Sequence, residues 1–197
     1  MARTLRYLSH PQVQIDPHKK IETWSLNDVG RSRVASLAQS HALNGTRVVI
    51  SSGETKAIET ASPIAQAIGC RMQIRPDMHE NDRSATGFLP PAEFEKVADQ
   101  FFAKPNVSVR GWETATAAQA RIVTAVLDCI RLHPDGDILF VGHGGVGTLL
   151  YCHLSDVGIS RTYDQGLGGG GCFFEFDDVR RTPKSKWRPL EELVAQT

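Results

Sequence analysis

An excess of charge of either sign is missing from this chain. Its 197 residues include 22 basic and 22 acidic side chains, a formal net charge of +0. No global field therefore draws it to nucleic acid or to an anionic membrane. Cysteine is scarce as well. Cys70, Cys129, Cys152 and Cys172 are far apart and form no Cys-x-x-Cys pair, which excludes a zinc ribbon and speaks against a disulfide framework. No apolar run approaches the ~18 residues that would suggest a membrane span. The start, Met1-Ala2-Arg3-Thr4-Leu5-Arg6, lacks the apolar stretch and small-residue cleavage site of a secretory leader. The expectation is a cytoplasmic protein with reduced thiols. What remains is an ordinary composition, 41% hydrophobic and 22% charged, suited to a single domain spanning 1–197.

Periodicity supplies the organisation. Residues 4–9 read as a strand ending at His10-Pro11, followed by a polar loop to about Ser25. Leu26 to Ala42 reads as a helix with Asn27 as N-cap and Val29, Val34, Leu37 and Ala38 on one face. Arg47 to Ser51 is a β-branched strand. Glu54 to Ile68 is a helix that Gly69 ends and Pro63 locally kinks. Arg71 to Arg75 is a weaker strand. Residues 77–113, with Pro90-Pro91 and one helix from Pro91 to Phe102, read as an insertion over the active-site edge of the sheet. Then come a helix (Thr116 to Leu132), a strand (Asp137 to Val141), a glycine turn into a helix (Val146 to Leu154) and a final strand (Cys172 to Phe176). The last twenty residues read as a basic tail packed on an edge. This order predicts an α/β fold, three layers (α/β/α) around a mostly parallel sheet.

Three segments carry chemistry. His10 and His143 each stand where a short apolar run stops, and open α/β sheets place their chemistry outside the carboxyl ends of their strands. Imidazole is suited to proton transfer and nucleophilic attack near neutral pH. After His143, Gly144-Gly145 leads into a helix whose N-terminal N–H groups can meet an anion. Ser51-Ser52-Gly53-Glu54-Thr55-Lys56 ends a strand in hydroxyls and opens a helix with a lysine in its first turn, which suits a phosphate. Taken in isolation, turn and cap chemistry with a solvated lysine is the better account of it. Glu80, within His79-Glu80-Asn81-Asp82-Arg83, is a carboxylate at the rim that could serve as acid or base, or simply lie in solvent.

The ordered combination is more specific than its parts. Strand-His10, Ser51-Ser52…Lys56…Thr60-Ala61, Glu80 and His143-Gly144-Gly145 resemble the histidine phosphatase superfamily, the phosphoglycerate mutase-like fold. Leu26-Asn27-Asp28-Val29-Gly30-Arg31 and Gly111-Trp112-Glu113 with Arg121 are similar to further family segments, so the resemblance covers most of 4–155. It implies a metal-independent hydrolase with no cofactor. In that scheme His10 attacks phosphorus, Glu80 protonates the leaving oxygen and then helps activate water, and His143 stabilises the phosphoryl charge. Ser9, Ser52, Lys56, Arg83 and Gly144 would bind the phosphate.

The pattern departs from the family around His10. Arg-His-Gly is here Ser9-His10-Pro11, and a second arginine is replaced by Lys56, a point charge without a bidentate fork. Pro11 removes a backbone donor but leaves a carbonyl to orient His10. Each lost charge-assisted hydrogen bond is worth roughly 1.5–3 kcal/mol. Arg6, ~13 Å back along its strand, falls short of the site, so Arg83 is the favoured replacement. A phosphomonoesterase acting through phospho-His10 is the leading expectation. The rival is a catalytically weak relative that binds a phosphorylated or anionic ligand as a sensor or partner. A pocket for something other than a simple phosphate ester, or a phosphoglycerate-type mutase, stands behind both. The expected partner is a small phosphorylated or anionic substrate, selected by the 77–113 segment with Phe88, Phe94 and Trp112. Neither nucleic acid, membrane nor metal is expected. Oligomeric state stays open, a homodimer included.

Overall fold

A computed structural model describes residues 3–166, 168–179 and 181–195. Among these, one sheet is built from β1 (Thr4–Ser9), β2 (Thr46–Ser52), β3 (Arg71–Arg75), β4 (Asp137–Gly142), β5 (Cys172–Asp177) and β6 (Arg188–Pro189). Their spatial order is β3-β2-β4-β1-β5-β6. The first four are parallel, and β5 and β6 add antiparallel pairings beyond β1. The helices are α1 (Asp28–Gln39), α2 (Thr55–Ala67), α3 (Pro91–Ala103), α4 (Ala115–Leu132), α5 (Gly144–Leu154) and α6 (Glu191–Val194).

The central strands are apolar on both sides, and alternation sends their side chains to two cores. Tyr7, Ile50, Ile138, Phe140 and Phe174 pack with α3, α4 and α5 on one face. Leu8, Val49, Leu139, Val141 and Phe173 pack with α1, α2 and α6 on the other. This is the three-layer α/β/α fold read from the sequence. From 77–113, Met78, Phe101, Phe102 and Trp112 enter the first core, so this segment is anchored in the body of the domain.

Several boundaries differ from the sequence reading, for physical reasons. Asn27 does cap α1, its side chain accepting the Gly30 N–H at 2.9 Å. However, α1 stops at Gln39, and Val29 is 56% exposed because the inward stripe runs through Gly30, Val34 and Leu37. Pro63 lies on the exposed side of α2, which continues through it. Cys172–Asp177 is not the last strand: the tail forms β6 and α6, and Arg33 fastens α6 to α1 through Glu191 at 2.6 Å. Among the described residues, no helix is long and apolar enough to cross a membrane.

Phe174 joins the first core's aromatic cluster, 5.6 Å from Tyr7, 5.3 Å from Tyr151 and 4.8 Å from Trp187 between ring centroids. Phe174→Ala should cost about 3–5 kcal/mol in urea unfolding. A cost below about 1 kcal/mol would show that this cluster does not hold the sheet.

Candidate active site

The strand register explains how two distant histidines meet. β1 and β4 are parallel neighbours with Ser9 opposite Gly142, so the next residue of each strand, His10 and His143, emerges at the same edge. The His10 N–H extends the ladder by donating to Gly142 O at 2.9 Å. The rings lie 5.3 Å apart at 72°. Beneath them the Tyr7 phenol accepts the His143 N–H at 3.1 Å and lies 3.2 Å from its carbonyl. Burial pushes the Tyr7 phenol well up in pKa, which keeps it protonated as a fixed brace.

Each imidazole has a defined outlook. His10 Nδ1 is 2.8 Å from Pro11 O. A carbonyl can only accept, so the proton sits on Nδ1 and the lone pair on Nε2. Burial and then the Lys56 charge lower the pKa of His10 to about 4, which keeps the ring neutral at neutral pH. His143 is fully buried, and its Nε2 is 2.8 Å from the Ser52 hydroxyl. That hydroxyl also accepts the Glu54 N–H, and it keeps a proton and a second lone pair with which to meet either tautomer of the ring. Nδ1 is buried without a partner among the described residues. Burial outweighs the nearby Glu54 and Glu80 charges and lowers His143 to about 3.

Glu80 caps α5, accepting from Gly145 N at 3.1 Å, Val146 N at 2.9 Å and Asn81 N at 3.1 Å. Glycine at 145 is a condition of this contact, because a Cβ there would stand 2.8 Å from Glu80 Oε1. The loop that carries Glu80 is clamped by Arg121, which donates to Asp77 O at 2.9 Å and His79 O at 2.8 Å and forks onto Glu113.

Not every expected phosphate ligand faces the site. Ser9 turns away, its Oγ 2.5 Å from Gln165 Oε1 and 3.1 Å from the Cys172 N–H that it accepts. Lys56 is engaged, buried against Glu54 and donating to Ile21 O at 2.9 Å. Ser52 serves His143 rather than an open pocket. Gly144 opens α5 instead of preceding it, and a Cβ there would meet Gln165 Nε2 at 2.2 Å. Arg83 Cζ stacks on Phe94 and Trp112 at 5.1 and 5.7 Å, without a carboxylate partner among the described residues. Arg6 is spent on Glu175 and Asp137.

Two site residues escaped the sequence reading. Glu54, at the N-cap of α2, has Oε1 3.5 Å from His143 Nε2 and accepting the Glu80 N–H at 2.8 Å, and its other oxygen pairs with Lys56. Burial alone would raise its pKa. The His143 ring, Lys56 and the Glu80 N–H outweigh burial and hold it at about 2. An acid two residues before Lys56 at a strand's carboxyl end was the available signal. Gln165 sits in a loop whose sequence gave none. A cleft of about 650 Å³ borders Glu54 and Glu80, with Arg83, Lys20 and Phe88 among its other walls, while the two imidazoles lie outside its lining. Among the described residues no group of three His, Cys, Asp or Glu side chains could hold a metal ion.

Comparison with known proteins gives a consistent result. The family model of the histidine phosphatase superfamily (branch 1) matches residues 12–173. No curated protein matches in sequence. Among solved structures, native mycobacterial glucosyl-3-phosphoglycerate phosphatase is similar with a TM-score of 0.74 and 18% identity, over 95% of this chain and 97% of that one. The same mycobacterial enzyme complexed with VO3 gives 0.73 and 18%, over 95% and 97%. A mutant phosphoserine phosphatase from Entamoeba histolytica in complex with phosphoserine gives 0.77 and 14%, over 97% and 99%. At these identities the likeness is one of fold.

The buried imidazoles set an acid limit. Between pH 6.5 and about 4 the unfolded chain binds protons that folded His10 and His143 refuse. Their stabilisation is therefore complete above that window and is lost as pH falls through it. Glu54 adds a further loss between pH 4.5 and about 2. Urea unfolding should show stability falling from pH 6.5 to 4. His143→Gln should flatten that slope, because His10 is partly exposed and contributes less; an unchanged slope would contradict the assignment.

Proposed function

Because this chain belongs to the histidine phosphatase superfamily, we propose that it is a phosphatase that works through a phosphohistidine at His10. The carrying observation is the pair of imidazoles that meet at one edge of the sheet. His10 offers an Nε2 lone pair, and His143 presents a buried, unpartnered Nδ1 with the rings 5.3 Å apart between centres. One can attack phosphorus while the other donates to the phosphoryl oxygens.

The reaction divides into two displacements. Nε2 of His10 forms a bond to phosphorus as the ester P–O bond breaks, and protonated Glu80 gives its proton to the leaving oxygen. Water then attacks phospho-His10, the P–N bond breaks, and the proton returns to Glu80. The Gly144 N–H at the start of α5 and the Arg83 guanidinium stabilise the charge. Arg83 is the replacement for the absent family arginines, since it borders the cleft and its charge reaches His10. The substrate is a small phosphorylated compound. One observation favours the second reading, a weakly catalytic binder of anionic ligands: Lys56 is already neutralised by Glu54.

Incubation with phosphomonoesters should yield an acid-labile, base-stable phosphoenzyme that His10→Ala abolishes. Equal background hydrolysis by the two proteins would sink the enzymatic reading. Arg83→Ala should weaken orthovanadate binding by about ten- to a hundredfold, the loss of one charge-assisted contact. Unchanged affinity would remove Arg83 from the site.

A further inference from the structure

Glu54 places a negative charge in the wall of the cleft, next to Glu80. One carboxylate oxygen pairs with the Lys56 ammonium and the other lies 3.5 Å from His143 Nε2. A lysine whose charge reaches the reacting imidazole is a group that an incoming phosphoryl anion would use. Here the protein supplies the anion. The carboxylate is not a loose surface group: Lys56 is 3% exposed, its Nζ is also held by Ile21 O at 2.9 Å, and Glu54 is tied to the Glu80 N–H at 2.8 Å.

We infer that Glu54 is a built-in anion that sets the charge the site accepts, favouring a reacting group with one negative charge over a dianionic phosphate monoester. The inference rests on the phosphatase reading and names its substrate class: phosphodiesters or phosphonate monoesters. The charges around the imidazoles make the case. Two cations, Lys56 and Arg83, reach His10 with their charge. Glu54 cancels the first, and both histidines are neutral. A phosphate monoester brings a charge of about −1.5 to −2 near pH 7. Of the two cations that act on His10, Arg83 is left to meet it. A monoanionic phosphoryl group matches that single cation, and its neutral substituent needs no charged partner beside Glu54. Chemistry at His10 is unchanged: the P–O bond to the leaving group breaks, P–N forms, and water reverses it.

The test compares p-nitrophenyl phosphate with p-nitrophenyl methylphosphonate, which share a leaving group and differ by one charge. Wild type, Glu54→Gln and His10→Ala are assayed, and inorganic phosphate binding is measured by calorimetry. Glu54→Gln keeps an oxygen to accept the Glu80 N–H but removes the charge. It should raise the monoester-to-phosphonate ratio of kcat/KM by about tenfold and tighten phosphate binding by a similar factor, the scale of one charged contact. An unchanged ratio, or weaker phosphate binding, would overturn the inference and leave Glu54 as a brace for Glu80. If neither ester shows His10-dependent turnover, the phosphatase reading fails, yet phosphate affinity still decides: tightening supports a built-in anion and no change refutes it. Glu54→Leu, checked for folding by thermal unfolding, repeats the binding measurement without any polar head group.

Discussion

The parallel ladder between β1 and β4 is the constraint on which the rest depends. Placing Ser9 against Gly142 fixes where both strands end, and everything chemical follows from that edge. A slip of one residue would turn each strand's side chains to the opposite face, sending Tyr7 away from the His143 backbone and exchanging the two cores. The register is therefore held by burial on both faces of the sheet, not by any contact within the site. Stability and catalytic geometry are the same interaction seen at two ends of a strand.

Second in importance is the handling of charge. The site gathers two carboxylates, two cations and two imidazoles in largely buried surroundings, where an unbalanced charge is costly. The solution is local pairing. Lys56 is matched by Glu54, Glu80 by helix N–H groups, and Arg83 by aromatic faces that are electron-rich without being charged. Each imidazole is kept neutral chiefly by burial. This economy differs from a pocket lined with arginine forks.

Much of this was legible in the chain. His10 and His143 announced themselves because each follows a run of strand-forming residues, and the resemblance to a known family rested on their order with Ser52, Lys56 and Glu80. Arg83 was found by asking what could replace a missing charge, and it does border the cleft. What escaped depends on the third dimension. Lys56 was visible, but its capture by Glu54 was not, because a glutamate at a helix start ordinarily reads as a cap. Ser9 was assigned to the pocket, whereas Gln165 and the Cys172 backbone engage its hydroxyl. Val29 was placed on the inner face of α1 because periodicity gives a spacing but leaves the phase to packing against Gly30. β6 was missed since two residues ending in proline carry no strand pattern.

The start of α5 has a consequence for how this protein can change. Gly144 and Gly145 hold their places because Gln165 and Glu80 occupy the volume a side chain would need. An alanine at either position would force that neighbouring side chain to move. The walls opposite are looser. Exposed Lys19 and Lys20 and partly buried Phe88 border the same cleft with few partners. A change in those walls therefore disturbs fewer fixed contacts than a change at the start of α5.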